Sequence, residues 1–83
     1  MGGQALEKGV NFSRTPMLHM QESGRFVPVQ QQIAAIRYGV PMLDPRGSHA
    51  TMHVIEITRN GKTYVLEVLY DISTNTIRHF LYR

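Results

Sequence analysis

Residues 52–70 read Met52-His53-Val54-Ile55-Glu56-Ile57-Thr58-Arg59, Asn60-Gly61, Lys62-Thr63-Tyr64-Val65-Leu66-Glu67-Val68-Leu69-Tyr70. Each long run is rich in β-branched and aromatic residues, a composition typical of strands. The Asn-Gly between them is the strongest short-range signal for a two-residue hairpin. A third run, Thr76-Ile77-Arg78-His79-Phe80-Leu81-Tyr82, follows a short polar segment. Together these runs predict an antiparallel meander of three strands.

The predicted hairpin has two different faces. A type I′ turn at Asn60-Gly61 places Ile57 opposite Tyr64 and Ile55 opposite Leu66. Because side chains alternate along a strand, one face, the apolar face, collects Ile55, Ile57, Leu66, Val68 and Tyr70. The other, the mixed face, collects Val54, Glu56, Thr58, Val65, Glu67 and Leu69. Polar residues interrupt an otherwise apolar meander there, so we expect the mixed face to be the functional one.

The register of the third strand decides the position of His79. If Asn75 adopts the left-handed conformation in a bulged turn, His79 joins Glu67 on the mixed face and Phe80 joins the apolar face. We expect this register because it puts Phe80 and Tyr82 in the core. An imidazole beside a carboxylate can act as an acid or base near neutral pH. A purely structural hydrogen bond is the alternative.

The sequence predicts one clear helix, over residues 28–38. Val29, Ile33 and Ile36 form an apolar stripe, and Pro28 suits the first helical position. Gly39 is placed as the residue that ends the helix in the left-handed conformation. We expect the helix to pack across the apolar face. The following Asp44-Pro45-Arg46-Gly47 predicts a tight turn.

The chain has 83 residues and no cysteine, so it forms at most one small domain without disulfide support. We expect residues 1–16 to be a linker with a short helix around residues 4–8, and residues 17–83 to be the folded domain. The predicted fold class is α+β, with N-terminal helical segments packed on one face of a small antiparallel sheet of three or four strands. No apolar run approaches the roughly 20 residues that span a bilayer.

The charge and the histidines bear on the class of partner. Nine Lys and Arg against six Asp and Glu give a net charge of +3, which favours an anionic partner such as RNA, although many small domains carry this charge without such a role. His49 and His53 have a spacing that binds metals on a helix. At the start of a strand they lie about 13 Å apart and cannot share an ion. We therefore expect no metal and no cofactor.

Metal-free cleavage of RNA needs a base for the 2′-hydroxyl, an acid for the leaving 5′-oxygen and a cation for the phosphorane charge. His19, His79 and Arg25 can supply these three groups, with Glu67 beside His79. The basic and hydroxyl residues expected to contact the substrate are Arg14, Thr58, Arg59, Lys62 and Arg78. The alternative to a catalytic role for His19 is that it is an ordinary surface residue.

From His19 to Tyr82 the sequence resembles the C-terminal toxin domains of filamentous-haemagglutinin-like and contact-dependent growth inhibition proteins. The similarity lies in six stretches: His19-Met20-Gln21-Glu22-Ser23-Gly24-Arg25-Phe26-Val27-Pro28, Ala35-Ile36 with Gly39, Asp44-Pro45-Arg46-Gly47, Asn60-Gly61-Lys62, Leu66-Glu67-Val68-Leu69-Tyr70-Asp71 and Asn75-Thr76-Ile77-Arg78-His79-Phe80. Many such toxins are similar to the barnase/EndoU/colicin/RelE superfamily of ribonucleases.

This resemblance implies an antibacterial ribonuclease that cuts RNA, tRNA foremost, with His19, Arg25 and His79 in the active site. It implies secretion as part of a larger effector and action in the cytoplasm of a target cell. The implied partners are tRNA, a cognate immunity protein and, for some relatives, elongation factor Tu as a helper protein. The three strands counted here fall short of the four or more that are usual in that superfamily. The alternative function is a non-catalytic module that binds RNA or protein.

Overall fold

The computed structural model describes residues 10–21 and 27–83, without the side chains of Thr15 and His19. The short helix expected around residues 4–8 lies outside the described residues. Neither described helix is long and apolar enough to cross a membrane. In chain order the elements are β1 (Asn11–Phe12), α1 (Arg14–His19), α2 (Val29–Tyr38), β2 (Val40–Leu43), β3 (Thr51–Arg59), β4 (Lys62–Asp71) and β5 (Thr76–Tyr82).

The sheet is mixed and has five strands, in the order β1-β5-β4-β3-β2. β1 runs parallel to β5 and the other neighbours are antiparallel. The predicted fold class, N-terminal helices on an antiparallel sheet of three or four strands, was therefore wrong, because β1 precedes both described helices and the sheet is mixed. β1 has only two residues, too few for a periodic signal, and β2 contains Pro41, which argues against a strand except at a sheet edge.

The three predicted strands have the expected register. Asn60 and Gly61 have φ of 53° and 78°, as a type I′ turn requires, and Ile55 pairs with Leu66. Asn75 has φ of 51°, and a bulge beside Leu69 leaves His79 opposite that residue. These predictions are confirmed. The sequence specified the register because its turn residues and its alternation of polar and apolar side chains point to the same pairing.

The core lies between α2 and the apolar face. Helix α2 packs on β3 and β4, as predicted. Its fully buried residues are Gln32 and Ala35, whereas Ile33 and Ile36 of the predicted stripe are half-buried. The Nε2 of Gln32 donates to the carbonyl of Val27 at 2.9 Å, which allows a polar side chain in this position. The buried apolar residues are Val27, Ala35, Leu66, Val68, Tyr70, Ile77 and Phe80.

Part of the expected linker belongs to the sheet. Residues 11–16 form β1 and the start of α1 instead of a linker. Pro16 lies in the first turn of α1, where the N–H that proline lacks would have no intrahelical partner. Pro16 is therefore compatible with this helix.

Gly39 ends α2, but not in the left-handed conformation that the sequence suggested. Its φ is −72° and its ψ is 166°, an extended backbone. A Cβ atom at this position would lie 2.4 Å from the carbonyl oxygen of Ala35 and 2.8 Å from that of Val54. Gly39 is thus required because α2 and β3 approach each other closely at the start of β2.

We expect Gly39→Ala to lower the free energy of unfolding by about 2–3 kcal/mol, because both obstructing atoms belong to the backbone. Gly39→Asn should lower the free energy of unfolding by at least as much. Gly47, with φ of 84° and open space around it, is the control, and there Asn should be better tolerated than Ala. Chemical denaturation of the four variants measures this. A Gly39→Asn protein more stable than Gly39→Ala would contradict the close-approach explanation.

Candidate functional site

Asp71, the last residue of β4, is the centre of a polar cluster at one end of the mixed face. Its carboxylate is only 1% exposed. Oδ1 accepts hydrogen bonds from the backbone N–H and the hydroxyl of Ser73, at 3.0 and 2.6 Å. Oδ2 lies 3.2 Å from Nε2 of His49 and 3.1 Å from a terminal nitrogen of Arg78. One buried carboxylate therefore holds both an imidazole and a guanidinium.

Local sequence explains this geometry. An aspartate side chain that bonds the backbone two residues later starts a turn, which Ser73 completes. Asn75 provides the left-handed residue of the turn, and its Oδ1 accepts a hydrogen bond of 2.5 Å from the Tyr70 hydroxyl. The bulge makes Arg78 the extra residue of β5, between Ile77 and His79. Bulges commonly redirect a side chain, and here Arg78 reaches Asp71.

The contact with Asp71 selects one tautomer of the neutral His49 ring. Hydrogen bonds from Ser73 and then from His49 lower the pKa of Asp71 from 3.8 to about 2, so this carboxyl group is ionised at neutral pH. A carboxylate only accepts hydrogen bonds, so in the neutral imidazole of His49 the proton lies on Nε2 and the lone pair on Nδ1. The His49 side chain is 69% exposed. It can therefore take a proton from a ligand while Asp71 stabilises the resulting cation.

The turn at Asp44–Gly47 borders the cluster. Gly47 donates to the carbonyl of Asp44 at 2.9 Å, which confirms the predicted turn. The Asp44 carboxylate accepts from the N–H groups of Arg46 and Ser48 at 3.0 and 3.2 Å. Hydrogen bonds from Ser48 and from Arg46 hold the pKa of Asp44 below its usual value. The turn is thus tied down while the Arg46 side chain is exposed.

His79 completes the site on the mixed face. It pairs with Leu69, which is two residues from Asp71 on the same side of β4, a separation of about 7 Å. A cavity of about 110 Å³ lies beside it, lined by Asp44, Pro45, Arg46, Met52, Leu69 and His79. Two histidines and two arginines therefore gather at one end of this face, which we call the His49 site: His49, Asp71, Arg78, His79 and Arg46.

The structure separates several residues that the sequence suggested for one site. Glu67 lies on the same face as His79, but its carboxylate pairs with Arg83. Thr58, Arg59 and Lys62 lie at the hairpin end of β3 and β4. That end is nine residues, or about 30 Å, from Asp71. Arg59 stacks over Tyr82, 4.7 Å from its ring centroid.

The N-terminal candidates are only partly described. Arg25 and the side chain of His19 lie outside the described residues, and the backbone of His19 ends α1. Met20, the next residue, packs against the core on the apolar face, opposite the face that carries His79. Arg14 is exposed at the start of α1. Of the predicted site residues, the described structure brings Arg78 and His79 together in the His49 site.

Sequence reasoning missed His49 and Asp71. The i, i+4 spacing drew attention to His49 and His53 as a metal pair, but His53 lies on the apolar face, where burial lowers its pKa. No group of three or more metal-ligating side chains occurs among the described residues. The available signal was Asp-x-Ser at a strand end, which favours a carboxylate held by its own turn. Nothing in the sequence relates it to a histidine 22 residues earlier.

No protein-family model, curated protein or solved structure matches this chain. The toxin resemblance therefore stays a prediction.

Stability at acid pH tests the role of Asp71. Because the folded-state pKa of about 2 is below the usual 3.8, Asp71 stabilises the fold at neutral pH, and this contribution is lost as pH falls from about 4 to 2. Asp71→Asn should be less stable at pH 7 and should lose less stability over that pH range than the original protein. Ser73→Ala removes one hydrogen-bond donor to Asp71. Its loss of stability over that pH range should lie between the losses of the original protein and of Asp71→Asn.

Denaturant titrations between pH 7 and 2 measure these differences. Glu56→Gln removes an exposed carboxylate from the mixed face and controls for the loss of one negative charge. Equal losses between pH 4 and 2 in the original protein and Asp71→Asn would contradict the lowered pKa.

Proposed function

We propose that this domain is a metal-independent ribonuclease whose active groups are His49, His79 and Arg78, positioned by Asp71. One observation carries the proposal. An exposed histidine is hydrogen-bonded to a buried, ionised carboxylate that also holds an arginine, at the end of the strand face that bears a second histidine. A base, an acid and a cation are the three groups that cleavage through the 2′-hydroxyl requires.

The reaction assigned to the His49 site is a transesterification. Nδ1 of His49 removes the proton of the 2′-hydroxyl, and the 2′-oxygen attacks the adjacent phosphorus. The bond from phosphorus to the 5′-oxygen breaks, and His79 gives that oxygen a proton. The products are a 2′,3′-cyclic phosphate and a free 5′-hydroxyl. Asp71 keeps His49 in the tautomer that can act as the base, as a carboxylate behind a histidine does in other acid/base sites.

Arg78 supports the proposal through its fixed orientation. Its side chain is 42% exposed while one guanidinium nitrogen pairs with Asp71. The remaining N–H groups can donate to phosphate oxygens in the fork geometry that arginine provides and lysine does not. Arg46, exposed on the neighbouring turn, adds a second donor beside His79. These two cations would stabilise the charge that develops on the phosphorane.

The biological setting of the proposal rests on the sequence resemblance alone. In this setting the domain is secreted as part of a larger effector and acts on tRNA in the cytoplasm of a target cell. An immunity protein neutralises it. Elongation factor Tu is included as a helper protein. His19 and Arg25 stay predictions as members of the site.

A binding module without catalysis is the second candidate, and a different observation favours it. One edge of the sheet is β2, in which Val40, Met42 and Leu43 are 65%, 55% and 93% exposed. Tyr38, just before it, is 75% exposed. Exposed apolar side chains along an edge strand favour the addition of a strand from another protein. Pro41 limits the hydrogen bonds that this edge can offer.

Cleavage of a short unstructured RNA in EDTA separates these functions. His49→Ala and His79→Ala should each lower kcat/KM by about 10²–10⁴-fold, the effect of removing a positioned acid or base. Arg78→Lys should also reduce kcat/KM, because a point charge replaces a fork of donors. Arg37→Ala, which removes an exposed arginine from α2, is the matched control and should retain activity.

The products and the substrate control decide the chemistry. We expect a 2′,3′-cyclic phosphate and no cleavage when the scissile nucleotide lacks its 2′-hydroxyl. If His19→Ala abolishes cleavage while His49→Ala does not, the base is His19, and the assignment of the active site to the His49 site is wrong. If the protein binds RNA but leaves it intact, with or without elongation factor Tu, the binding-module function is favoured.

A further inference from the structure

A second cavity on the mixed face adjoins the His49 site. It has a volume of about 210 Å³ and is lined by Met42, Leu43, Pro45, Met52, Val54, Glu67 and Arg83. Pro45 and Met52 also line the smaller cavity beside His79. The two cavities therefore lie side by side, on either side of these two shared side chains. We call the larger one the Glu67 cavity.

We propose that the Glu67 cavity binds one unpaired nucleobase of the RNA, from the nucleotide next to the bond that is cut. This assignment rests on the ribonuclease function proposed above and adds a substrate class to it, single-stranded RNA. The base would lie against Met52 and Pro45, with its polar edge toward Glu67 and Arg83.

The size and surface of the cavity suit a small flat ligand. Drug-sized ligands occupy roughly 300–1,000 Å³, so a cavity of this volume fits something smaller, such as a single planar ring system. Its floor is thioether and aliphatic. Methionine sulfur packs favourably on aromatic rings, and Met52, which is buried, provides an adaptable apolar surface for such contact.

The polar rim selects a base rather than a phosphate. Glu67 is 14% exposed and its carboxylate pairs with Arg83, which is 67% exposed. The backbone of Arg83 is fixed by two hydrogen bonds with Val65, of 2.8 and 3.0 Å. A carboxylate repels a phosphate, but it accepts hydrogen bonds from the amino or imino groups of a base. The guanidinium donates to ring nitrogens and carbonyl oxygens, so the pair matches a base edge that carries both kinds of group.

The position of the cavity fits the neighbouring nucleotide. Glu67 and Leu69 are successive residues of β4 on the mixed face, about 7 Å apart, and Leu69 faces His79. The edge of a base is available to Glu67 and Arg83 only when that base is unpaired. Sequence-specific recognition of RNA usually targets such unpaired bases.

Abasic substitution tests the inference directly. A short RNA is prepared with an abasic nucleotide at each position in turn around the cleaved bond, and kcat/KM is measured for each. An abasic nucleotide at one position next to the cleaved bond should lower kcat/KM by roughly 5- to 150-fold. This range corresponds to the contribution of one stacked base to binding. Binding is measured separately by fluorescence anisotropy with RNA that carries a 2′-deoxy nucleotide at the scissile position.

Two glutamate variants tie the effect to this cavity. Glu67→Gln should reduce the ratio of kcat/KM on the intact substrate to kcat/KM on the abasic substrate. Glu56→Gln, on the same face but outside the cavity, should keep the original ratio. Circular dichroism and thermal unfolding show that each variant folds.

The outcomes separate this inference from the function on which it rests. Cleavage that is unaffected by an abasic nucleotide at every position overturns the base subsite and leaves the ribonuclease standing. An unchanged ratio in Glu67→Gln overturns the assignment to this cavity. If no RNA is cut, but anisotropy shows base-dependent binding that Glu67→Gln weakens, the subsite stands and the ribonuclease fails.

Discussion

The carboxylate of Asp71 joins three segments of the chain, one of which lies 22 residues away in sequence. It fixes the turn between β4 and β5 through Ser73, it holds the loop before β3 through His49, and it receives the bulged residue of β5 through Arg78. A buried charge is costly unless it is paired and hydrogen-bonded, and here each oxygen has at least two partners. The geometry of the His49 site therefore depends on this one side chain.

The same arrangement recurs along the mixed face. Three carboxylates are shielded from solvent here. Those of Asp71 and Glu67 each pair with an exposed arginine, and that of Asp44 accepts hydrogen bonds from the backbone of its own turn. The positive groups are thereby oriented by short-range hydrogen bonds rather than gathered in an uncompensated patch. A net charge of +3 thus gives no measure of how well this face could bind an anion. Directed donors favour recognition of a defined ligand geometry over general attraction.

The sequence predicted those features that depend on neighbouring residues. The turn at Asn60-Gly61 and the alternating pattern were enough to place Ile55 opposite Leu66, and the need to bury Phe80 placed His79. Features that depend on distant contacts were missed or misread. Gly39 is explained by the carbonyl of Val54, and His49 by a carboxylate 22 residues away. Two short edge strands leave no periodic signal, so the strand count and the mixed sheet could not be read from the pattern.

The pairing of β1 with β5 has a consequence for how the domain is assembled. It joins Asn11 to Thr76 and Phe12 to Ile77, whereas the hairpin pairs residues that are close in sequence. Closing so long a loop costs chain entropy, which the two residue pairs of β1, the hydrogen bond from the Ser13 hydroxyl to the carbonyl of Arg78 and the adjoining α1 offset. The meander of β3, β4 and β5 can therefore form as one cooperative unit before β1 joins the sheet. We therefore expect the edge formed by β1 to open at a lower free energy than the hairpin, so that its amide hydrogens exchange with solvent without unfolding of the hairpin.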